Sequence, residues 1–180
     1  LRFREPNLAL HPQITDNRKL IARDGGTLEN EYLKAEINSD GTFDLTDKRS
    51  GRVMKKMMYY ADNGEVGSAH ISNEPKRNFT CTSLGAHATV TMTESNELRG
   101  AFKIELTLDL PAAASLNGEY RSRERKKLPI TTVLTLEKGA EYLKVHTTLV
   151  NEIRDHKLTV NFPSGVTAAD YADCESAWDV

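Results

Sequence analysis

Four acidic residues could in principle contribute to acid–base chemistry: Asp62, Glu65, Glu74 and Asp155. Cleavage of a glycosidic bond with retained configuration needs two carboxyl groups about 5 to 5.5 Å apart, one protonated and one ionised. The first three acids share one long polar segment and Asp155 stands at a predicted strand end, so no spacing pairs two of them. Their polar flanks predict solvated side chains rather than a tuned pair. The sequence therefore predicts no catalytic residue within this chain.

The histidines and serines give no stronger signal. The histidines are His11, His70, His87, His146 and His156. They form no HxH, HxxxH or HExxH spacing, so the sequence predicts no local metal site. Ser68 follows Gly67, but the GxSxG pattern of a nucleophilic serine is missing, and this serine is interpreted as a turn residue.

A basic run and several aromatic side chains could instead contact a ligand. The basic residues are Arg121, Arg123, Arg125, Lys126 and Lys127. Arginine forks suit phosphate and carboxylate groups, although such a run is more often a solvated loop. The aromatic residues are Tyr59, Tyr60, Tyr120, Tyr171 and Trp178. Their rings could stack on a sugar, but each one alone is interpreted as a core or interface residue.

The elements that would position these side chains have the pattern of β-hairpins. Leu33, Ala35 and Ile37 alternate with charged residues, the turn sequence NSDG follows at 38–41, and Phe43 resumes the alternation, which predicts a hairpin. Residues 86–93 and 101–110 predict a second hairpin, and residues 130–137 and 142–150 a third. Residues 53–60 fit either a strand or one helical turn, and a last strand is predicted up to Pro163.

The longest predicted loop covers residues 61–82 and is the first place to look for a site, because loops of this length are usually functional or disordered. Several short strands without intervening helices predict an all-β fold of antiparallel sheets packed as a sandwich. Residues 1–26 lack a period and are predicted to be an N-terminal arm or linker, with the β-sandwich domain over residues 27–180.

Composition excludes several classes of function. The 180 residues carry a formal net charge of -2, so we expect no nucleic-acid partner. No apolar run approaches the roughly 20 residues that cross a bilayer, and no signal peptide is recognisable; the sequence predicts a soluble protein and leaves its compartment unknown. Cys81 and Cys174 are interpreted as reduced thiols. Because the first residue is Leu1, we expect an internal piece of a longer polypeptide.

Two segments resemble one known family. Residues 151–163 read NEIRDHKLTVNFP, which is similar to a strand pair of the family thirty-eight α-mannosidases, where Asn precedes Asp-His-Arg/Lys-Leu and then Phe-Pro. Residues 28–37 read LENEYLKAEI and are followed by DGT at 40–42 and DKRSG at 47–51, which resembles that family's first hairpin. The sequence WDV at 178–180 resembles a family motif that normally continues, so we expect the chain to stop within the domain. The resemblance covers most of residues 26–180.

The resemblance implies an antiparallel β-supersandwich of the galactose-mutarotase-like kind, C-terminal to a catalytic domain. The zinc ligands and the nucleophile of the family belong to that absent domain, so we expect zinc in the full-length enzyme and no cofactor here. A family loop that reads Gly-x-x-Tyr and then Pro contributes a tyrosine near bound mannose. The matching residues here are Gly67, Ser68, Ala69 and His70, with Pro75 downstream. These four are the predicted substrate-binding residues, although His70 replaces the tyrosine.

Three functional hypotheses follow. In the first, this is the non-catalytic β-sandwich of an α-mannosidase-type glycosidase, whose partners are its own N-terminal catalytic domain and a mannose-containing glycan. In the second, it is a stand-alone carbohydrate-binding module with an exposed aromatic platform. In the third, it is a mutarotase-like epimerase, with His87 or His146 converging on Glu105. Asp155 and His156 are predicted to be structural, fixing a strand end through side-chain to backbone hydrogen bonds.

Overall fold

The computed structural model describes residues 19–68 and 70–165, and every regular element in these ranges is a β-strand. The strands are β1 (Ala22–Arg23), β2 (Thr27–Glu29), β3 (Leu33–Ile37), β4 (Phe43–Asp47), β5 (Arg52–Met57), β6 (Tyr59–Gly64), β7 (Cys81–Thr82), β8 (Thr89–Ser95), β9 (Arg99–Pro111), β10 (Arg125–Glu137), β11 (Lys144–Leu149) and β12 (His156–Asn161). They form three antiparallel sheets, ordered β1-β2-β3-β4-β5, β11-β10-β9-β8 and β12-β6-β7. The predicted all-β fold is confirmed.

The long hairpin of β9 and β10 forms the centre of the molecule. Its register places Phe102 opposite Leu134 and Leu106 opposite Ile130. The even-numbered side chains from Phe102 to Leu110 and from Leu128 to Leu136 point inward and are almost completely buried. Since residues alternate between the two faces of a strand, this register puts every apolar side chain of that set on the core side. Burial of each large apolar side chain stabilises the fold by about 1.5 to 3 kcal/mol.

All three sheets contribute to one hydrophobic core. The first sheet provides Leu28 and Phe43, the second provides Ile104 and Leu110, and the third provides Tyr60. The hydroxyl of Tyr60 bonds to those of Thr132 (2.8 Å) and Thr147 (3.2 Å) in the second sheet. The structure therefore confirms sheets packed face to face as a sandwich.

One residue joins the first sheet to the third. Met58 lies between β5 and β6, has a φ of 65°, and is buried. A left-handed conformation is uncommon for a residue other than glycine. Its N–H donates to the carbonyl oxygen of Asn161 (2.9 Å), which fixes this bend against the end of β12. The chain thus changes sheets at Met58 without a loop, and the strand interpretation of residues 53–60 is confirmed.

The three predicted hairpins are confirmed, with β3–β4, β8–β9 and β10–β11 paired antiparallel. In the first turn Gly41 has a φ of 82°, and Asp40 accepts hydrogen bonds from both the N–H (3.1 Å) and the hydroxyl (2.6 Å) of Thr42. Burial raises the pKa of Asp40, but hydrogen bonds from Thr42 and Lys56 outweigh it and hold that pKa at about 2. The turn is therefore closed by a carboxylate as well as by glycine.

Two predicted boundaries differ from the structure. The predicted loop over residues 61–82 was wrong at its start, because β6 continues to Gly64. At the N-terminal side, β1 joins the first sheet, and Ile21 and Ala22 are buried in the core. These residues belong to the 1–26 segment interpreted as an arm, so the sheet begins within that segment. Residues 1–18 lie outside the described part of the chain.

The structure describes one of the two cysteines. Cys81 is half-buried with a free thiol, while Cys174 lies outside the described residues. Within the described ranges, no helix is long and apolar enough to cross a membrane.

Candidate functional site

The loop that follows β6 begins with a small hairpin over residues 65–73, termed here the 65–73 hairpin. The Glu65 carboxylate closes it by accepting hydrogen bonds from the N–H groups of Gly67 (2.9 Å) and Asn73 (2.7 Å) and from the hydroxyl of Ser72 (2.6 Å). These three donors hold the pKa of Glu65 at about 2. The ionised carboxylate therefore serves as the structural centre of the hairpin.

The predicted substrate-binding residues lie at the tip of the 65–73 hairpin. The backbones of Ser68 and Ile71 exchange hydrogen bonds of 2.9 and 3.3 Å, and the N–H of His70 lies 3.4 Å from the Ser68 hydroxyl. Gly67, Ser68 and His70 are exposed, and Ala69 lies outside the described residues. The structure thus brings the three described residues together in one turn, and their contact with a substrate stays a prediction.

Gly67 is required at its position by a close backbone approach. A Cβ atom there would lie 2.0 Å from the carbonyl oxygen of Ile71 and 2.8 Å from the N atom of Asn73. Both contacts are shorter than atoms can approach without displacement, so only glycine fits. The tip is a tight turn whose shape depends on this residue.

A cavity of about 670 Å³ lies beside the 65–73 hairpin. Val66 and Asn73 line it from the hairpin, and Arg154 and Asp155 line it from the segment before β12. The loop 113–119 closes the other side. Three loops therefore converge at this end of the sandwich, termed here the loop end, and the exposed tip residues stand outside the cavity lining.

The environment of Asp62 differs from the one that the sequence predicted. It is completely buried in β6, with 0% exposure, rather than solvated in a loop. One carboxylate oxygen pairs with Arg121 and the other with the Nδ1 of His156. A buried carboxylate is stable only when its charge is compensated and its oxygens are hydrogen-bonded. These partners explain how an acidic residue occupies the middle of a strand.

Arg121 likewise differs from the prediction of a solvated basic loop. Its side chain is 2% exposed, and its Nη1 donates to the carbonyl oxygens of Asp62 (3.2 Å) and Phe79 (3.1 Å). Its guanidinium lies 5.1 Å from the centre of the Phe79 ring. Arg123, Lys126 and Lys127 are exposed as predicted, so the run consists of one buried structural arginine among surface residues.

The histidine of the DHKL sequence completes this arrangement. His156 Nε2 lies 3.0 Å from the Oδ1 of Asn151, which also accepts the N–H of Ile153 (3.1 Å). Nδ1 of His156 thus lies at the Asp62 carboxylate, and Nε2 lies at the Asn151 amide oxygen. We refer to Asp62, Arg121, His156 and Asn151 as the Asp62 cluster. The imidazole of His156 is therefore bonded to two side chains. Hydrogen bonds from this side chain to the backbone had been predicted instead.

Asp155 anchors two of the converging loops. Its Oδ2 accepts the N–H of Ala114 (3.1 Å), and its carbonyl oxygen accepts the N–H of Glu65 (2.9 Å). Its φ of 53° is left-handed, a conformation that Asp tolerates better than most residues. The predicted structural role of Asp155, through bonds from its side chain to the backbone, is confirmed.

The other acids considered for chemistry also have partners. Glu74 accepts a hydrogen bond from Asn78 (3.0 Å), and Glu105 pairs with Lys103 (3.0 Å). Within the described part of the chain no hydrogen bond joins Glu105 to His87 or His146. His87 and Glu105 both line one depression of the surface, without a hydrogen bond between them.

Metal ligands do not converge in the described residues. Over residues 19–68 and 70–165, no group of three or more His, Cys, Asp or Glu side chains could hold a metal ion. The residues present therefore do not fit a zinc centre, and no chemical step here depends on one.

Comparison with known proteins gives consistent matches. The model of the glycosyl hydrolases family 38 C-terminal domain matches residues 28–177. A provisionally named mannosylglycerate hydrolase of Halalkalibacterium halodurans is 32% identical over 165 residues, which cover 83% of this chain and 18% of that protein.

Two solved structures from Enterococcus faecalis are similar in fold and sequence. One is an α-mannosidase from strain V583, and the other is described as a protein in glycosyl hydrolase family 38. Each superposes with a TM-score of 0.80 at 28% identity and covers 83% of this chain. The matched region spans 19% and 20% of their lengths, so these relatives are more than four times as long as this chain.

Proposed function

This chain belongs to the family of glycosyl hydrolase family 38 C-terminal domains, and from that premise we propose that it is the non-catalytic β-sandwich of an α-mannosidase-type glycosidase. The full-length enzyme would hydrolyse terminal α-mannosidic bonds. This domain would support the catalytic domain and shape one side of its cleft. The relatives' greater length supports a catalytic domain elsewhere in the polypeptide.

One observation carries the non-catalytic assignment: the acids at the loop end already have structural partners. Asp62 is buried between Arg121 and His156, Glu65 accepts three hydrogen bonds, and Asp155 anchors the Ala114 backbone. A general acid or a nucleophile must be able to reach a substrate atom and change its protonation or bonding there. Carboxylates committed to holding loops are poorly suited to that work.

We assign the substrate-facing role to the tip of the 65–73 hairpin, at Gly67, Ser68, Ala69 and His70. The exposure of this turn supports the assignment, because its polar side chains can point away from the sandwich. The imidazole of His70 is a smaller polar group than a tyrosine ring, so the contact with a sugar would differ from that of the family. Any zinc would be bound by the catalytic domain.

The experiment uses the full-length protein that contains this chain, with an aryl α-mannoside as substrate. Glu65→Gln and Glu74→Gln variants should keep kcat within about threefold, because neither carboxylate takes part in the chemical step. A His70→Ala variant should change KM more than kcat, because its contact is with bound substrate. Leu84→Ala, at an exposed site outside this loop, serves as the control.

A folded Glu65→Gln or Glu74→Gln enzyme that lost kcat by a thousandfold or more would place catalysis in this chain. Absence of any α-mannosidase activity in the unmodified full-length protein would contradict the proposal as a whole. Calorimetry of the 180-residue chain with mannose tests the alternative of a stand-alone carbohydrate-binding module, which requires measurable binding without the rest of the protein.

A further inference from the structure

A second groove, of about 1110 Å³, lies next to the cavity described above and is lined in part by the same loop. It is termed here the arginine groove. The residues that give it its chemical character are Arg77, Phe79, Tyr120, Arg123 and Glu124. It shares only the 114–117 segment with the first cavity. The two depressions are therefore separate surfaces of the loop end.

Two aromatic rings line the arginine groove and are only partly covered. Phe79 is 48% exposed and Tyr120 is 47% exposed. Large aromatic side chains bury much apolar area when they pack, so half-exposed rings in one depression leave apolar surface available to a ligand. Sugar rings present an apolar face of C–H groups, which suits such a surface.

The groove is held in shape without a ligand. The backbone of Arg77 pairs with Tyr120 as a parallel bridge, and the Arg77 N–H donates to the Glu119 carbonyl oxygen (2.8 Å). Arg121 lies against the Phe79 ring and bonds to the Phe79 carbonyl oxygen. Because Arg121 is itself fixed by Asp62, the Asp62 cluster supports the Phe79 side of the groove. A preorganised surface loses little conformational entropy on binding.

The groove also carries a net positive charge from its arginines. Arg77 and Arg123 are exposed, and among the described residues no ion pair joins either guanidinium to a carboxylate. The charge of Arg121 is compensated by Asp62, and Glu119 is paired with Lys76 (2.8 Å). Glu124 is then the one acidic residue among those lining the groove. The local charge favours an anion although the whole chain is slightly acidic.

We propose that the arginine groove binds a sugar unit that carries an anionic group, with its ring against Phe79 and Tyr120 and its carboxylate or phosphate on Arg77 and Arg123. Aromatic faces and guanidinium forks together distinguish such a ligand from a neutral sugar, which would leave the arginines unused, and from a bare anion, which would leave the rings unused. This site differs from the substrate-facing tip and does not depend on the proposed hydrolase activity.

Equilibrium calorimetry on the full-length protein tests the proposal. The probes are glucuronic acid, mannose 6-phosphate, neutral mannose and inorganic phosphate. Both anionic sugars, or one of them, should bind at least about tenfold more tightly than mannose and phosphate, because a charge-assisted hydrogen bond adds to ring contact. Comparison of the two anionic sugars identifies whether carboxylate or phosphate is preferred.

The variants locate the binding. Arg77→Ala and Arg123→Ala should each weaken the anionic sugar by about tenfold, and Tyr120→Ala should weaken it by about fivefold. Arg99→Ala is the matched control, since it removes an exposed arginine at the far end of β9 and should leave binding unchanged. Circular dichroism confirms that each variant is folded.

Several results would overturn the inference. Anionic sugars could bind no more tightly than mannose, or inorganic phosphate could bind as tightly as they do, which would indicate an ion site only. Binding that survives in both arginine variants would lie elsewhere, for example in the enzyme's own active site. A poly-glutamate peptide that binds the groove more tightly than any sugar would assign it to a protein partner. Hydrolysis of an aryl α-mannoside, measured in parallel, reports separately on the proposed function.

Discussion

Two carboxylates a few residues apart organise the loop end by different means. Asp62 is completely buried, forms an ion pair with Arg121 and is hydrogen-bonded to the imidazole of His156. Glu65 lies at the surface and is bonded to two backbone N–H groups and one hydroxyl. Both carboxylates are fully hydrogen-bonded. Water could replace the donors around Glu65, but it cannot reach the buried Asp62. Burial, rather than the number of hydrogen bonds, therefore decides how much stability is lost when a carboxylate is removed.

The largest effect is expected for Asp62→Asn, which leaves Arg121 buried without its counter-charge. We expect a loss of about 3 to 5 kcal/mol in the free energy of unfolding, measured by urea denaturation. Asp109→Asn is the control, because Asp109 forms an exposed pair with Arg125 (3.2 Å) and should cost less than about 1 kcal/mol. Equal effects of the two substitutions would remove the distinction between buried and surface carboxylates.

The second prediction concerns the coupling between Asp62 and Arg121. Arg121→Met alone leaves Asp62 with an uncompensated charge, whereas Arg121→Met combined with Asp62→Asn removes both charges. The double variant should be less destabilised than the sum of the single variants by about 1 to 3 kcal/mol. Strict additivity in the same denaturation experiment would show that the two side chains are not coupled.

The third prediction tests the shape of the 65–73 hairpin. Gly67→Ala introduces a Cβ that meets the Ile71 carbonyl oxygen at 2.0 Å, so the turn must open, at a local cost of about 1 to 3 kcal/mol. Amide hydrogen exchange at Ser68 and Asn73 should become faster. Ser68→Ala is the control at the neighbouring position, and its exchange rates should remain close to those of the unmodified chain.

The smallest effect is expected from acid. The pKa of Glu65 is lowered from 4.5 to about 2, so its hydrogen bonds stabilise the hairpin fully above about pH 4.5 and are lost as the pH falls through about 2. NMR titration of the Gly67 and Asn73 amides should show a midpoint near 2. Asp40 titrates in the same range, which makes these local signals necessary. Glu65→Gln should abolish the transition, and a midpoint near 4.5 would show that the carboxylate is not bonded as described.

The hairpins could be predicted from the sequence because their information is local. Alternation of Leu33, Ala35 and Ile37 with charged residues and the turn at Gly41 determine β3 and β4 within one short segment. The 151–163 segment also allowed a structural role to be predicted for Asp155 and His156, and its Asn, Asp and His residues do lie together at one end of β12. Its function as a set of loop anchors was only partly predictable.

The Asp62 cluster could not be predicted because its partners are distant in sequence. Asp62 and His156 are 94 positions apart, and Asp62 and Arg121 are 59. An aspartate beside Asn63 and Gly64 has the composition of a loop, and only the charges supplied by other elements make it compatible with a strand. The continuation of the apolar run Tyr59, Tyr60 and Ala61 into Asp62 was the one signal that pointed to β6.

The left-handed link at Met58 sets a limit on how this domain can vary. Because successive side chains of a strand alternate between faces, one residue inserted between Met58 and Tyr60 would turn the rest of β6 over. Asp62 would then face away from Arg121 and His156, and the buried guanidinium of Arg121 would lose its counter-charge. The spacing between the first sheet and β6 should therefore tolerate neither insertion nor deletion.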